Sequence, residues 1–203
     1  MQVHPANLQI SEMVPRVLLI DNHDSFTWNL ARLMEETRLC KLAVKFIDEI
    51  EPEQLNIYDK FIFSPGPGIP AEYPLMKEMI QVYGPVKSIL GICLGHQAIV
   101  EAMGGSLIHL DKVVHGMRQL VEVLDPGEIL FHGLPSSFNA GLYHSWAADS
   151  LCIPECLRVT ASGPGGVVMG ISHKTIDIKG LQFHPESYMT EFGHQIIANW
   201  LKY

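Results

Sequence analysis

The residues of this sequence best suited to chemistry surround Cys93, in the segment Gly91-Ile92-Cys93-Leu94-Gly95. The pattern predicts a strand that ends at Ile92 and a helix that begins just after Cys93, with flanking glycines that allow close backbone packing. The N–H groups at the helix start would then face the sulfur, favour its thiolate form and supply an oxyanion donor from Leu94. The segment therefore predicts a nucleophilic cysteine, with a buried and inert cysteine as the alternative.

A histidine and a carboxylate that could support such a nucleophile lie near the C-terminus, in His184-Pro185-Glu186. Side chains two apart on an extended segment point the same way, and proline keeps the preceding residue extended, so His184 and Glu186 can lie side by side. An imidazole can take the proton of a thiol, and a carboxylate on its other nitrogen orients the ring and makes it more basic. The chain order Cys, His, Glu fits neither the α/β-hydrolase order nor a papain-like protease.

A third segment, Lys60 to Pro70, is an apolar strand that runs into the loop Ser64-Pro65-Gly66-Pro67-Gly68. Its glycines expose backbone N–H groups while its prolines fix the shape, which suits the binding of a carbonyl oxygen or a carboxylate. No Gly-Lys-Ser/Thr follows at the spacing of a phosphate-binding loop, so a nucleotide site is not predicted. A plain tight turn is the alternative for this loop.

Together these motifs resemble the class I, triad-type glutamine amidotransferases. The opening Leu19-Ile-Asp-Asn-His-Asp-Ser-Phe-Thr-Trp-Asn-Leu30 and the later Leu142-Tyr-His-Ser-Trp146 are similar to the glutaminase subunits of anthranilate synthase and of para-aminobenzoate (aminodeoxychorismate) synthase. The resemblance runs from about residue 16 to the end of the chain. It implies a flavodoxin-like fold and hydrolysis of L-glutamine to glutamate and ammonia, with no metal or organic cofactor.

The resemblance also implies a role for each matching residue. Cys93 would be the nucleophile, with His184 and Glu186 completing the triad. The predicted glutamine-binding residues would form the oxyanion hole and hold the amino acid end of the substrate; they are Gly66, Pro67, Gly68, Leu94, Gln97, Ser145 and Trp146. The ammonia would pass to a chorismate-using synthase subunit, which makes either anthranilate for tryptophan or aminodeoxychorismate for folate.

Two positions depart from the family pattern, since Trp146 replaces the usual leucine and Met117 stands where related chains often carry lysine. Both lie away from the triad, and we expect them to affect substrate-edge and partner contacts. The segments 109–118 and 143–146 are predicted to form the docking surface for the synthase. Two other functions remain open: a catalytically silent binding subunit, or a free-standing thiol hydrolase.

Composition is typical of an ordinary enzyme domain. The 203 residues are 47% hydrophobic, enough for one sizeable core, and the formal net charge of −8 disfavours nucleic acid and anionic membranes as partners. No apolar run reaches membrane-spanning length and the first residues do not resemble a signal peptide, so a cytoplasmic location is expected. Cys152 and Cys156 could form half of a zinc site, but no second ligand pair follows at a familiar spacing.

The elements that must position these residues follow from apolar periodicity. Strands and helices alternate from Arg16 to Gly105, which predicts βαβ units and an open, mostly parallel sheet with helices on both faces. From about residue 106 to 183, short strands with Gly/Pro turns predict an antiparallel extension. A last amphipathic helix, about 191–201, should turn Phe192, Ile196, Ile197 and Trp200 inward. Residues 1–14 are a candidate disordered segment, and 15–203 a single domain.

Overall fold

Residues 14–203, the part of the chain that the computed structural model describes, form one sheet of nine strands with four α-helices. The strands are β1 (Arg16–Asp21), β2 (Lys41–Phe46), β3 (Lys60–Phe63), β4 (Ser88–Ile92), β5 (Leu107–Val123), β6 (Ser137–Ala148), β7 (Leu157–Ser162), β8 (Val168–His173) and β9 (Ile178–Leu181). The helices are α1 (Thr27–Thr37), α2 (Pro74–Tyr83), α3 (Leu94–Ala102) and α4 (Gly193–Lys202).

The sheet changes from parallel to antiparallel at β9. Its strand order is β2-β1-β3-β4-β9-β8-β7-β5-β6, and the first five strands run parallel. The order of those five is that of a flavodoxin-like doubly wound sheet. The remaining strands pair antiparallel, so both halves of the predicted architecture are confirmed. The predicted disordered segment 1–14 lies outside the described residues except for Val14.

Two hydrophobic cores cover the two faces of the sheet. One contains residues of α1 and α4, including Leu30 and Trp200, and the other contains residues of α2 and α3, including Ile80 and Ile99. The central parallel strands are mainly apolar because both of their faces are buried, as Phe61 to Phe63 show with no exposed surface, whereas the edge strand β2 is only partly buried. The carboxyl ends of β3, β4 and β9 therefore meet at one edge, where the predicted active-site segments begin.

The last helix is shorter than its sequence pattern predicts. It begins at Gly193, and Phe192 precedes it in a left-handed conformation with φ of 61°. Phe192 therefore lies outside the helix; its ring meets the buried Phe138 edge to face at 6.3 Å but is 42% exposed, so its predicted burial is wrong. Ile196, Ile197 and Trp200 are buried as predicted.

A long hairpin of β5 and β6 extends the antiparallel half. Its pairing is interrupted between His109 and Val114 and again between His115 and Met117. These irregularities place His109 opposite Trp146 and His115 opposite Tyr143. The two segments predicted to dock a partner therefore lie side by side. None of the helices in residues 14–203 is long and apolar enough to cross a membrane.

Candidate active site

Cys93 occupies a strained turn between β4 and α3. Its backbone has φ 51° and ψ −100°, a region that residues with a side chain rarely adopt. The turn is held because the N–H of Cys93 donates to the Leu181 carbonyl on β9, at 2.8 Å. Close packing also requires glycine, since a Cβ on Gly95 would lie 2.7 Å from both Cβ and O of Phe63. The predicted strand, turn and helix around the cysteine are present.

His184 and Glu186 lie side by side just beyond β9, but in a turn and not in the predicted extended segment, because the N–H of Ser187 donates to the His184 carbonyl. Nδ1 of His184 is 2.7 Å from Oε1 of Glu186, and both side chains are almost fully buried. The main chain of His184 is fixed as well, because its N–H donates to the Gly141 carbonyl and its carbonyl accepts from the hydroxyl of Thr190. The histidine is thus held by strand pairing and oriented by a carboxylate, and its Nε2 is left for a third group.

The charges of this cluster favour a protonated His184. Burial by itself lowers the pKa of His184, but the Glu186 carboxylate and the Cys93 thiol raise it, and the resulting pKa lies well above the usual value. The contact with Cys93 is looser than a formed hydrogen bond, because Nε2 has no partner of standard geometry. Catalytic hydrogen bonds are often long before substrate binds. An imidazolium beside a sulfur is the arrangement that stabilises a thiolate.

Two aromatic rings flank the His184 imidazole. Phe26 and Tyr143 both meet it edge to face, with centroid distances of 5.5 Å and 4.9 Å. The hydroxyl of Tyr143 lies 3.1 Å from that of Ser187. These rings restrict the tilt of the imidazole, a contribution that the sequence motifs alone do not predict.

The loop after β3 is locked to β1 and approaches Cys93. The Asn22 side chain donates to the Ser64 carbonyl, and the Asn22 N–H donates to the Ser64 hydroxyl, both at 2.9 Å. A Cβ on Gly66 would lie 2.8 Å from that of Asn22, so this contact excludes larger residues. Gly68 has φ of 74°. Within residues 14–203 the Gly68 N–H makes no main-chain hydrogen bond, which leaves a donor at the rim of the site.

One cavity of about 190 Å³ collects the predicted residues. Its lining includes Cys93 and all seven residues predicted to bind glutamine, together with Tyr143 and His144, which the sequence did not assign to the site; the seven are Gly66, Pro67, Gly68, Leu94, Gln97, Ser145 and Trp146. The cavity therefore brings together the predicted nucleophile, backbone N–H donors and a polar wall, while His184 and Glu186 are not among its lining residues. Their binding roles stay predictions.

A buried chain of hydrogen bonds connects the cavity wall to the sulfur. Nε2 of Gln97 donates to the Trp146 carbonyl at 2.8 Å and to Oε1 of Gln182 at 3.2 Å. Nε2 of Gln182 in turn donates to Sγ of Cys93 at 3.6 Å. The Trp146 carbonyl is also 2.9 Å from Nδ1 of His144. The sequence analysis assigned no role to Gln182, although it stands two residues before His184 in the motif.

The other features of the structure do not compete with this site. A larger cavity of about 740 Å³ lies at the opposite edge of the sheet and is lined by none of the predicted residues. Among residues 14–203 no three His, Cys, Asp or Glu side chains come together as a metal site would require. The described chemistry is concentrated where β3, β4 and β9 end.

Comparison with known proteins gives a single family. Residues 18–203 match the profile of the family "Glutamine amidotransferase class-I". An aminodeoxychorismate synthase component 2 from Escherichia coli (strain K12) is 39% identical over 192 residues, which cover 91% of this chain and 98% of the relative. An anthranilate synthase component 2 from Pseudomonas aeruginosa is 38% identical over 195 residues, covering 92% and 94%.

A solved structure shows the same fold. A glutamine amidotransferase from Thermotoga maritima superposes with a TM-score of 0.70 over 85% of this chain and 76% of that chain. Their sequences are 19% identical, so this likeness concerns the fold alone.

Proposed function

This chain belongs to the class I glutamine amidotransferases, and from that premise we propose that it is the glutaminase subunit of a chorismate-using synthase. The observation that carries the proposal is the cavity in which a strained cysteine, two glycine-rich backbone segments and a polar wall meet. We assign Cys93, His184 and Glu186 as the catalytic triad.

In the first half of the reaction, Cys93 attacks the side-chain carboxamide carbon of glutamine. The N–H of Leu94 and the N–H groups of the 66–68 loop stabilise the negative oxygen of the tetrahedral intermediate. His184, protonated beside Glu186, gives its proton to the amide nitrogen, and ammonia leaves. A γ-glutamyl thioester on Cys93 remains.

In the second half, a water molecule attacks the thioester carbon. His184 has given up its proton and now acts as the base that removes a proton from this water. The tetrahedral intermediate collapses, the carbon–sulfur bond breaks, and glutamate leaves. Cys93 returns to the thiolate beside a protonated His184, so that each turnover consumes one water and one glutamine.

The polar wall of the cavity holds the amino acid end of glutamine. Gln97 is fixed by its bond to the Trp146 carbonyl, and its Oε1 is the group available to accept from the substrate ammonium. Backbone groups at Ser145 and Trp146 lie in the same wall. A site with placed polar groups at the end distant from the reacting bond selects an amino acid over a simple amide.

The released ammonia is used by the synthase partner. At neutral pH free ammonia is mostly protonated and unreactive, so a sheltered path to a second active site is favoured. We take anthranilate as the principal product of the complex and aminodeoxychorismate as the alternative. The two relatives described above bear one name each at nearly equal identity, and product analysis must decide between them.

The partner docks on the surface formed by residues 109–118 and 143–146. Trp146 packs edge to face on His109 at 5.0 Å, and Val113 and Met117, on the same strand as His109, expose 61% and 47% of their surface. Exposed apolar side chains and an aromatic ring on one hairpin are suited to an interface. The departures at Met117 and Trp146 from the family pattern fall on this surface, next to the cavity.

The proposal is tested by reconstituting the chain with a chorismate-using synthase subunit and comparing glutamine with ammonium as nitrogen donor. Cys93→Ser should abolish glutamine-dependent product and leave ammonium-dependent product nearly intact. Cys152→Ser, at an exposed cysteine outside the cavity, is the matched control and should preserve both activities. Equal loss of both activities in Cys93→Ser would refute the division of labour.

Two further measurements distinguish the proposed function from the two other functions. A catalytically silent subunit would form no covalent adduct on Cys93 from a glutamine analogue that alkylates thiols. A free-standing thiol hydrolase would act on peptides without any partner and would gain nothing from the synthase. Fluorescence or mass analysis of the aromatic product then identifies anthranilate or aminodeoxychorismate.

A further inference from the structure

Gln182 is a fully buried carboxamide that no step of the proposed reaction uses. It lies between Leu181 and Phe183, which are also fully buried, on the segment that leads to His184. Burying a carboxamide costs free energy unless its polar atoms are paired. Both polar atoms of this carboxamide are paired, because Oε1 accepts from Gln97 and Nε2 donates to Cys93. The main-chain N–H of Gln182 donates to the Met169 carbonyl.

The direction of these hydrogen bonds is fixed by one backbone carbonyl. The Trp146 carbonyl can only accept, so the nearby amide group of Gln97 must be its NH₂. That same NH₂ also faces Gln182, which must therefore present its oxygen. The remaining end of the Gln182 side chain, an NH₂ group, is left facing the sulfur at 3.6 Å. The orientation of the Gln97 and Gln182 amide groups therefore follows from the fact that the Trp146 carbonyl can only accept.

We propose that Gln182 is a positioning residue for the nucleophile: its N–H holds the Cys93 sulfur, and through Gln97 it connects that sulfur to the wall of the glutamine cavity. The proposal deepens the proposed function, because it assumes that Cys93 is the nucleophile. A hydrogen bond to sulfur is stronger for a thiolate than for a thiol, since the acceptor is charged. Gln182 therefore favours the thiolate and restricts it to the direction of attack.

The connection to the cavity wall gives this contact a second consequence. Gln97 lies one helical turn after Cys93, on the same face of α3, and its N–H donates to the Cys93 carbonyl. A movement of the Trp146 carbonyl, where the wall meets the docking surface, is transmitted to Gln97 and then to Gln182. The sulfur is thus linked to the edge of the cavity by side chains that are all buried or nearly so.

The test measures how alkylation of Cys93 by iodoacetamide depends on pH in the full chain, with peptide mass spectrometry to separate Cys93 from Cys152. Gln182→Met keeps the length of the side chain and removes the N–H. We expect the pH profile of Cys93 alkylation to move to higher pH, so that the rate on its rising side falls about tenfold. The kcat for glutamine should fall with it, while KM changes little.

Two further variants make the result specific. Gln182→Glu keeps the oxygen that accepts from Gln97 but places a negative charge by the sulfur, so the midpoint should rise further than in Gln182→Met. Gln195→Met makes the same chemical change at a glutamine that donates to the His132 carbonyl outside the cavity, and should leave the midpoint unchanged. A folded Gln182→Met protein with the wild-type midpoint would overturn the proposal, because the ionisation of Cys93 would then not depend on the Gln182 N–H.

A measurement on the wild type covers the case in which the variants do not fold. The side-chain amide protons of Gln182 should shift in ¹⁵N-resolved spectra with the same midpoint as the alkylation, and this titration should vanish in Cys93→Ser. Side-chain amide resonances of Gln182 that do not shift when Cys93 ionises would overturn the proposal. This result is distinguishable from failure of the proposed function, because the proposed function is tested separately by the loss of glutamine-dependent product in Cys93→Ser.

Discussion

The substitution Gly95→Ala, at the start of α3, has two opposite effects on the stability of the protein. Alanine is a better helix former than glycine by about 0.8–1 kcal/mol, which by itself predicts a more stable protein. The structure predicts the reverse, because the new Cβ would lie 2.7 Å from Cβ and from O of Phe63. Phe63 lies on a central strand and has no exposed surface, so neither its Cβ nor its carbonyl oxygen can move away. The helix must move instead.

The size of that movement determines the expected effect. Carbon atoms pack at about 3.5–4.0 Å, so the start of α3 must shift by about 0.8 Å or more from β3. Overpacking of this kind costs about 1–3 kcal/mol, which cancels or exceeds the gain in helix propensity. Since Cys93 lies at the start of the same helix, its sulfur moves too, and a displacement of about 1 Å can reduce the rate about 100-fold.

The assay is glutaminase turnover together with thermal unfolding. We expect Gly95→Ala to lose about tenfold to 100-fold in kcat and to have an unfolding temperature at or below wild type, at about 2–4 °C per kcal/mol for a chain of this size. Gly127→Ala, at an exposed glycine in a turn where the nearest atom is the Oδ1 of Asp125 at 3.3 Å, is the matched control. A Gly95→Ala protein that is more stable than wild type and fully active would refute the steric argument.

Three other predictions concern the triad, a buried histidine and the docking surface. In glutamine hydrolysis, His184→Ala should approach the loss seen for Cys93→Ser and Glu186→Gln should cost less, because the imidazole survives; a Glu186→Gln enzyme as active as wild type would contradict the assignment. Burial lowers the pKa of His96 to about 3 from 6.5, so the folded state resists protonation below pH 6.5 and stability falls as the pH drops. By urea unfolding, wild type should lose about 2 kcal/mol more than His96→Asn between pH 6.5 and 5, and parallel curves would refute this. Met117→Asp should weaken binding of the synthase subunit in a titration while Leu124→Asp, exposed outside the docking surface, should not; equal affinities would place the interface elsewhere.

The alternation of apolar segments was enough to predict the parallel half of the sheet. Apart from the partly buried edge strand β2, those strands are buried on both faces, so their sequences are mainly apolar and their ends are distinct from the polar loops. The proposed triad residues were found for a related reason, because Cys93 directly follows one strand and His184 and Glu186 follow another. The predicted extended spacing of His184 and Glu186 is wrong, since a turn closed by the Ser187 N–H brings them together. In both cases the signal is local, because the strand and the residues that follow it lie in the same short segment of the sequence.

The features that sequence did not predict depend on pairing between distant segments. Gln182 acquires its contact only because β9 lies beside β4, and neither strand specifies that neighbour by itself. Tyr143 reaches the His184 ring only through the register of the β5–β6 hairpin and the bridge from Gly141 to His184. Phe192 was misplaced because helical periodicity does not reveal where a left-handed residue ends the pattern.

The position of β9 has a consequence for how the protein is made. β9 is the last strand of the chain, yet it is inserted in the middle of the sheet, between β4 and β8. Chains emerge from the ribosome N-terminus first, so β4 and β8 must wait as open strand edges, which are prone to pair with other chains. The Leu181 carbonyl that holds Cys93, and the histidine beside it, arrive with this same strand. A chain that lacks β9 therefore has neither the hydrogen bond that holds the Cys93 turn nor a continuous sheet between β4 and β8.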